Sequence, residues 1–260
     1  MKPGIALITG AGKRVGRAMA LHLAARGWDI AVHYMSSVAE ADAVVAEARA
    51  LGVRAAAFRA DLTDAAETDV LVPQVVAKLG QVTLLVNNAS IFEYDTVSRA
   101  TRESWHRHAS SNLEAPFFLT QAVAAQAPEA GRDEDGEPVA RTLVVNMLDQ
   151  RIRKLTPEFM TYTLAKMGLW AFTRTAAQGL APAVRVMGIG PGPTLQGGRQ
   201  SAEHFAAQRA ATPLGRGTSP AEICGALDFI IASPGLTGQV ICLDGGQHLA
   251  WATPDVLGVE

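Results

Sequence analysis

A tyrosine and a lysine four residues apart are the side chains of this sequence with the clearest chemical use. Tyr162 and Lys166 would lie on one face of a helix, because residues i and i+4 are neighbours on a helix surface. Thr156 is expected to cap that helix and Pro157 to be its first residue. A nearby ammonium group favours the phenolate, so we expect Lys166 to lower the pKa of Tyr162 toward neutrality.

A carboxyl group precedes this tyrosine by thirteen positions. Asp149 follows the apolar run 143–147, which is typical of a buried strand. Because the end of a strand and the next helix can bring their side chains together, we expect Asp149 to meet Tyr162. The Tyr-x-x-x-Lys spacing alone is also typical of an ordinary helix face, so the rest of the chain must decide.

A glycine-containing turn opens the chain. The apolar run 5–9 is followed by Gly10, Gly12 and Gly16, and then by a helical pattern through Ala25. This order predicts a strand, a tight turn and a helix whose N-terminus holds a pyrophosphate. The spacing matches neither Gly-x-Gly-x-x-Gly nor a Walker A loop, so a plain tight turn remains the alternative.

The end of the second predicted strand, 29–34, bears on the choice of cofactor. An acidic residue about 20 positions beyond the glycines would bind a free ribose 2′-hydroxyl. Here the positions carry His33, Tyr34, Ser36 and Ser37, and no carboxylate. Hydroxyl groups can bind a 2′-phosphate that an acid would repel, which favours NADPH. A serine N-cap of the following helix is the alternative for one of the two serines.

Further apolar runs complete an alternating pattern of strands and helices. They lie at 53–60, 82–86, 184–189 and 239–243, with a helix predicted from Pro220 to Ala232. Such alternation predicts right-handed crossovers and a parallel sheet, with ligands at the carboxyl ends of the strands. We therefore expect one doubly wound α/β domain over residues 1–260. Segment 194–220 lacks clear periodicity and is predicted to be a mobile flap over the site.

Bulk composition excludes several function classes. The 260 residues are 48% hydrophobic and 18% charged, which indicates a buried core. A net charge of −2 gives no reason to expect nucleic acid or an anionic membrane as partner. No uncharged apolar run approaches the roughly 20 residues of a membrane span. The histidines lack metal-ligand spacing, so we expect no metal, and we expect a cytoplasmic protein with reduced cysteines.

Short motifs along the chain occur in an order that resembles the short-chain dehydrogenase/reductase family. The motifs are Thr9-Gly10-x-x-x-Arg14-x-Gly16, Asp61-Leu62, Asn87-Asn88-Ala89, Asn112, Tyr162-x-x-x-Lys166, Pro191-Gly192 and Asp244-Gly-Gly. The resemblance covers essentially the whole chain. It implies a Rossmann-type fold with a seven-stranded parallel sheet, helices on both faces, a homotetramer and a nicotinamide cofactor. It also implies that Tyr162 donates a proton, that Lys166 holds the nicotinamide ribose, and that Asn112 supports a relay through water.

Departures from the general family pattern resemble its pteridine reductase branch, which includes the bacterial dihydromonapterin reductases. Asp149 stands where most members carry serine, and Arg14 where most carry glycine. In that branch, the phenylalanine matching Phe92 stacks on the pterin, and the residues matching Arg14 and Ser90 contact cofactor phosphate and substrate. An arginine that often follows the second strand there is Ser36 here, which predicts a weaker preference for the 2′-phosphate.

Residue patterns and resemblance together define a predicted site. The predicted catalytic residues are Asp149, Tyr162, Lys166 and Asn112. The predicted cofactor-binding residues are Gly10, Lys13, Arg14, Val15, Gly16, His33, Tyr34, Ser36, Ser37, Asp61, Leu62, Asn88, Ala89, Ser90, Tyr162, Lys166, Pro191 and Gly192. The predicted substrate-binding residues are Arg14, Ser90, Phe92, Asp149, Tyr162, Pro193 and Leu195.

The predicted function is NADPH-dependent reduction of a pteridine of the dihydropterin or folate type. Asp149 and Tyr162 would protonate the ring nitrogen beside the carbon that accepts hydride. The alternative is a reductase of carbonyl substrates such as 3-oxoacyl thioesters or small ketones, from which Asp149, Phe92 and Arg14 separate this chain. A dinucleotide-binding regulator without chemistry is a third hypothesis, although it would have no need of the tyrosine and lysine.

Overall fold

A parallel sheet forms the centre of the computed structural model, which describes residues 1–198 and 200–251. The strands of this part of the chain are β1 (Ile5–Ile8), β2 (Asp29–Tyr34), β3 (Ala55–Arg59), β4 (Val82–Asn87), β5 (Gly131–Arg132), β6 (Pro138–Val139), β7 (Thr142–Met147), β8 (Val184–Pro191) and β9 (Val240–Leu243). Seven of them pair side by side, all parallel, in the order β3-β2-β1-β4-β7-β8-β9. The predicted seven-stranded, doubly wound sheet of Rossmann type is therefore confirmed. Of the predicted domain 1–260, residues 199 and 252–260 lie outside the described part.

Helices cover both faces of this sheet. They are α1 (Arg14–Ala24), α2 (Val38–Ala50), α3 (Ala65–Lys78), α4 (Arg102–Ala109), α5 (Ala115–Ala125), α6 (Met160–Leu180), α7 (Ala202–Ala210) and α8 (Pro220–Ala232). One apolar core packs α1, α2 and α8 against one face, and a second packs α3, α5 and α6 against the other. Alternate strand residues enter opposite cores, which is why the strands are continuous apolar runs.

The strand order places the sequence motifs at one edge of the sheet. Gly10 follows β1, Asn88 follows β4 and Asp149 follows β7, and all three strands point the same way. The chain order reverses between β1 and β4, and open α/β sheets bind their ligands at such a reversal. The fold therefore brings distant motifs to one cleft.

The predicted start of the helix that carries Tyr162 is wrong. This helix, α6, begins at Met160 and not at Pro157. The hydroxyl oxygen of Thr156 accepts a hydrogen bond from Arg151 Nη1 at 2.6 Å, so it does not cap the helix. Phe159 has a left-handed backbone with φ of 55°, and the helix cannot extend upstream through such a residue.

Other segments form structure that the sequence patterns did not indicate. Asn112 lies inside a π-helical turn, Ser110–Glu114, between α4 and α5. Segment 194–220, predicted to be a mobile flap without clear periodicity, contains α7. The charged loop 132–138 is closed by the short antiparallel pair β5 and β6. None of the helices in residues 1–198 and 200–251 combines the length and apolar character that a membrane span requires.

Candidate active site

A cleft of about 520 Å³ lies at the ends of the first four strands. It is lined by the predicted cofactor-binding residues Gly10, Lys13, Arg14, Val15, Gly16, His33, Tyr34, Ser36, Ser37, Asp61, Leu62, Asn88, Ala89 and Ser90. It is also lined by Met35, Thr63, Ile91, Arg107 and Ser111, which the sequence motifs did not indicate. Most of these extra residues are adjacent in sequence to a motif residue, so they could have been predicted as neighbours of the motifs.

The glycine turn fits a diphosphate group. A Cβ atom on Gly16 would lie 2.3 Å from the carbonyl oxygen of Gly10, so only glycine lets α1 approach the turn. At the N-terminus of α1, Lys13 makes no side-chain cap and the first turn carries no acid. The first amide groups of this helix and their partial positive charge therefore face the cleft without a competing anion.

The His33 side chain stabilises the glycine turn by a hydrogen bond. Its Nδ1 accepts a hydrogen bond from the Gly10 N–H at 3.0 Å, so its Nε2 carries the proton and donates to the Ala60 carbonyl at 3.0 Å. Burial lowers the pKa of His33 to about 4. The ring is thus neutral at physiological pH and has both nitrogens engaged, which makes it a support of the cleft wall.

Two asparagines also hold backbone segments of the cleft. Asn88 Nδ2 donates to the Thr9 carbonyl at 2.8 Å. Asn112 is fully buried, and its amide accepts from the Ile91 N–H at 2.9 Å and donates to the Ile91 carbonyl at 2.8 Å. This amide therefore holds the main chain at Ile91, at the edge of the cleft, through both its oxygen and its nitrogen.

One cation of the cleft is already paired. Lys13 Nζ lies 2.7 Å from Glu40 Oε1, and both side chains are about half exposed. Ser36 and Ser37 lie in the same wall of the cleft. This wall offers hydroxyl groups and a positive charge to a phosphate, but the charge is shared with a carboxylate.

A second cavity of about 270 Å³ adjoins the cleft. It is lined by the predicted residues Arg14, Val15, Phe92, Asp149, Pro191, Gly192, Pro193 and Leu195. It is also lined by Gln150, Arg151, Thr194, Gly197, Gln200, Phe205, Gln208 and Gln247, which the sequence motifs missed. Arg14 and Val15 line both cavities, so the two spaces meet at the start of α1.

Arg14 connects the glycine turn to the segment after β8. Its φ of 55° is left-handed, a conformation that is costly for any residue except glycine. Its Nη1 donates to the Gln196 carbonyl at 2.8 Å, and its Nη2 to the Leu195 carbonyl at 3.0 Å. The guanidinium therefore anchors the segment after β8, which lines the second cavity, to the glycine turn, which lines the first cavity.

The predicted meeting of Asp149 and Tyr162 is confirmed. The Tyr162 hydroxyl donates to Asp149 Oδ2 at 2.9 Å, and Asp149 Oδ1 accepts from the Arg151 N–H at 2.8 Å. Lys166 Nζ lies 5.7 Å from the centre of the Tyr162 ring and donates to the Met147 carbonyl at 2.7 Å. The carboxyl, the phenol and the ammonium thus form one cluster at the end of β7.

The expected effect of Lys166 on the tyrosine is wrong. Burial and the negative charge of Asp149 raise the pKa of Tyr162 well above its ordinary value. Burial also raises the pKa of Asp149, and it lowers the pKa of Lys166 to about 8. The phenol therefore stays protonated, and the carboxyl is the acid of the pair whose pKa moves toward neutrality.

An aromatic wall stands beside this cluster. The Phe92 ring stacks on Phe159 with centroids 4.3 Å apart and meets the Tyr162 ring edge-on at 4.7 Å. Phe92 is 50% exposed, so part of its ring is open. The Arg151 guanidinium lies 4.9 Å from the centre of Phe159. Neither Arg151 nor Phe159 was among the predicted site residues, although both lie between Asp149 and Lys166. The aromatic residue three positions before Tyr162 was the sequence feature that could have indicated Phe159.

The fold and this cluster define a class of protein. The family model for short chain dehydrogenase matches residues 4–206, and the chain belongs to the short-chain dehydrogenase family. The predicted family is thereby confirmed, and with it an oxidoreductase.

Among solved structures, the chain is similar to FolM alternative dihydrofolate reductase 1 from Brucella canis, complexed with NADP. The two are 39% identical with a TM-score of 0.91, over 98% of each chain. The protein of the same description from Brucella suis, also in complex with NADP, is 40% identical with a TM-score of 0.89, over 96% of this chain and 97% of that one. Among curated relatives, a 3-oxoacyl-[acyl-carrier-protein] reductase from Synechocystis sp. is 34% identical over 94% of this chain and 96% of its own.

Proposed function

We propose that this protein is an NADPH-dependent reductase of a pteridine substrate. The observation that carries the proposal is the 2.9 Å hydrogen bond between Tyr162 and Asp149, beside the Phe92 ring. Reduction of a ring C=N bond adds a hydride to carbon and a proton to nitrogen. A carboxyl group of raised pKa can deliver that proton, whereas a serine hydroxyl in its place could only orient a carbonyl.

The cleft has the features that NADPH requires. The amide groups at the start of α1 suit the pyrophosphate, and Ser36, Ser37 and Lys13 suit the 2′-phosphate. NADPH, when bound, supplies the hydride. The complexes of the two FolM reductases with NADP support this assignment.

Asp149 acts as the proton donor in this mechanism. It lines the second cavity and its raised pKa favours the protonated form, so it can donate to a substrate nitrogen there. The Tyr162 hydroxyl donates to the carboxylate that remains, and the Arg151 N–H holds the other carboxylate oxygen. The positive charge of Lys166 also favours that carboxylate. A proton from solvent then restores the acid.

The second cavity suits a flat and small substrate. Its volume of about 270 Å³ lies just below the range of drug-sized ligand pockets. The open part of the Phe92 ring offers a surface on which a planar heterocycle can stack. Leu195 and Pro193 also line this cavity, and the Leu195 carbonyl accepts a hydrogen bond from Arg14.

Reduction of 3-oxoacyl or small carbonyl substrates is a second candidate. The named curated relative supports it, because it is a 3-oxoacyl-[acyl-carrier-protein] reductase at 34% identity. Such a substrate needs a hydroxyl donor at its carbonyl oxygen and has no use for Asp149. From the family resemblance we further propose a homotetramer in the cytoplasm, which sedimentation and cell fractionation would test.

A substrate panel distinguishes the two candidates. NADPH oxidation should be followed with dihydrobiopterin, dihydromonapterin, dihydrofolate, small ketones and a 3-oxoacyl thioester, with NADH in parallel. We expect kcat/KM for at least one pterin to exceed that for every carbonyl compound by on the order of tenfold or more. The reverse order would contradict the proposal. Tyr162→Phe is the control, since it should lower turnover by either mechanism: it removes the hydrogen bond to the Asp149 carboxylate in one and the hydroxyl donor in the other.

A further inference from the structure

Three polar side chains with no part in the proposed proton transfer form a buried chain beside Tyr162. His108 Nδ1 lies 2.7 Å from Thr161 Oγ1, and the Thr161 hydroxyl contacts Asp95 Oδ2. Exposure is 0% for His108, 3% for Asp95 and 5% for Thr161. We refer to these three residues as the polar chain.

The direction of each hydrogen bond in the polar chain follows from one backbone amide. The Glu93 N–H lies 3.1 Å from His108 Nε2, and because an amide N–H can only donate, Nε2 accepts. The ring proton is therefore on Nδ1 and is donated to Thr161 Oγ1, which leaves the threonine hydroxyl hydrogen for Asp95. Burial lowers the pKa of His108, which favours the neutral ring that this arrangement requires.

Asp95 also caps the helix that carries the catalytic tyrosine. Its Oδ1 accepts the Thr161 N–H at 3.1 Å, and its main-chain carbonyl accepts the Phe159 N–H at 2.8 Å. Phe159 occupies the N-cap position of α6 and provides no side-chain cap. The cap thus comes from a residue 66 positions earlier than Thr161, and its negative charge is favourable at a helix N-terminus.

The polar chain joins the two segments that carry the Phe92 and Tyr162 rings. Phe92 immediately precedes Glu93, whose amide is bound by His108. Tyr162 immediately follows Thr161. The centres of the Phe92 and Tyr162 rings are 4.7 Å apart, so a small movement of either segment changes the position of Phe92 relative to the Tyr162 hydroxyl.

We propose that the polar chain is a positioning device, which fixes the Phe92 ring relative to the Tyr162 hydroxyl. Its residues act through the two rings and do not touch the reacting atoms. The inference rests on the proposed function, in that the group held against these rings is a flat pteridine. Displacement by about 1 Å can cost on the order of 100-fold in rate, so the polar chain should affect turnover as well as stability.

Thr161→Val is the variant that breaks the polar chain with the least change of shape. It removes the hydroxyl and keeps the β-branched side chain. Asp95 retains the Thr161 main-chain N–H and the hydroxyl of Ser104, at 3.4 Å, so the buried carboxylate keeps partners. Thr161→Ser is the matched control, because it restores the hydroxyl.

Steady-state kinetics with NADPH and the best pterin of the panel test the proposal, with rates expressed per folded molecule. We expect Thr161→Val to lower kcat/KM by about 10- to 100-fold, with a higher pterin KM and an unchanged Kd for NADPH. Thr161→Ser should remain within a few-fold of the unmodified protein. If Thr161→Val lowers only the Tm, and kcat and KM per folded molecule are unchanged, the proposal is overturned.

A substrate-free measurement separates this inference from the proposed function. Nuclear Overhauser contacts between the Phe92 and Tyr162 rings should have the same intensity in the unmodified protein and in Thr161→Ser, and should be clearly weaker in Thr161→Val. Equal intensities in all three proteins would overturn the positioning role. If no pterin is reduced by the unmodified protein, the proposed function fails, and the ring contacts alone decide whether the polar chain positions the two rings.

Discussion

Replacing Asp149 by asparagine removes the acidic proton of the carboxyl group and changes little else in the side chain. The Tyr162 hydroxyl can still donate to the amide oxygen at the position where it now meets Oδ2 at 2.9 Å, so the geometry of the pair should persist. The amide cannot deliver a proton. The variant therefore separates proton donation by residue 149 from its role in holding the tyrosine.

The loss expected from Asp149→Asn is that of a general acid. Such groups contribute about 10²- to 10⁴-fold, so we expect kcat/KM for a pterin to fall at least about 100-fold, or about 2.7 kcal/mol in the barrier. Asp149 donates only while protonated, and burial raises its pKa. In the unmodified protein, kcat/KM should be highest below that raised pKa and fall as pH rises through it. The residual activity of the variant should lack this fall.

Asp149→Asn should raise the stability of the protein although it lowers the activity. Because the folded-state pKa of Asp149 lies above its unfolded value, the carboxyl favours folding when both states are protonated and loses that contribution as pH rises through the folded pKa. At neutral pH, Asp149→Asn should therefore have a higher Tm than the unmodified protein, with the difference disappearing in acid. Such an exchange of stability for activity is common at active sites.

Absorbance of NADPH, recorded across pH with a pterin and with a ketone, is the assay. Asp149→Ser is the control, since it supplies the residue that most family members carry. It should lose pterin reduction without loss of any ketone reduction. An Asp149→Asn protein with unchanged kcat/KM and an unchanged pH profile would refute Asp149 as the proton donor.

Three further substitutions test other parts of the site. Phe92→Leu should raise the pterin KM by about tenfold through loss of ring stacking while the Kd for NADPH stays constant, and titration of both ligands checks this. Glu40→Gln should free Lys13 and tighten the binding of NADPH without affecting the binding of NADH. The effect should be only a few-fold, because an exposed ion pair is weak. Equal changes in the Kd of both cofactors, measured by fluorescence, would count against the role of Lys13. Arg14→Gly should raise the pterin KM several-fold by releasing the Leu195 carbonyl without lowering the Tm, since glycine relieves the left-handed backbone; an unchanged KM would show that the guanidinium does not shape the cavity.

Much of the fold could be predicted because its signals are local. Strands such as 143–147 are continuous apolar runs, since both faces of the sheet are covered by helices. Helix α8 begins at Pro220 and ends at Ala232 as its pattern predicts, with Ser219 as a cap directly before it. In contrast, α6 begins at Met160 because its cap, Asp95, comes from another part of the chain.

The order and spacing of the residues were enough to predict the parallel sheet, the glycine turn and the meeting of Asp149 with Tyr162, because each depends on neighbours along the chain or on the common direction of the strands. Only the tertiary structure decided the ionisation of that pair, since burial and the charge of Asp149 raise the pKa of the phenol. It also decided that Arg14 reaches the segment after β8. Desolvation and contacts between residues far apart in sequence exist only once the chain has packed.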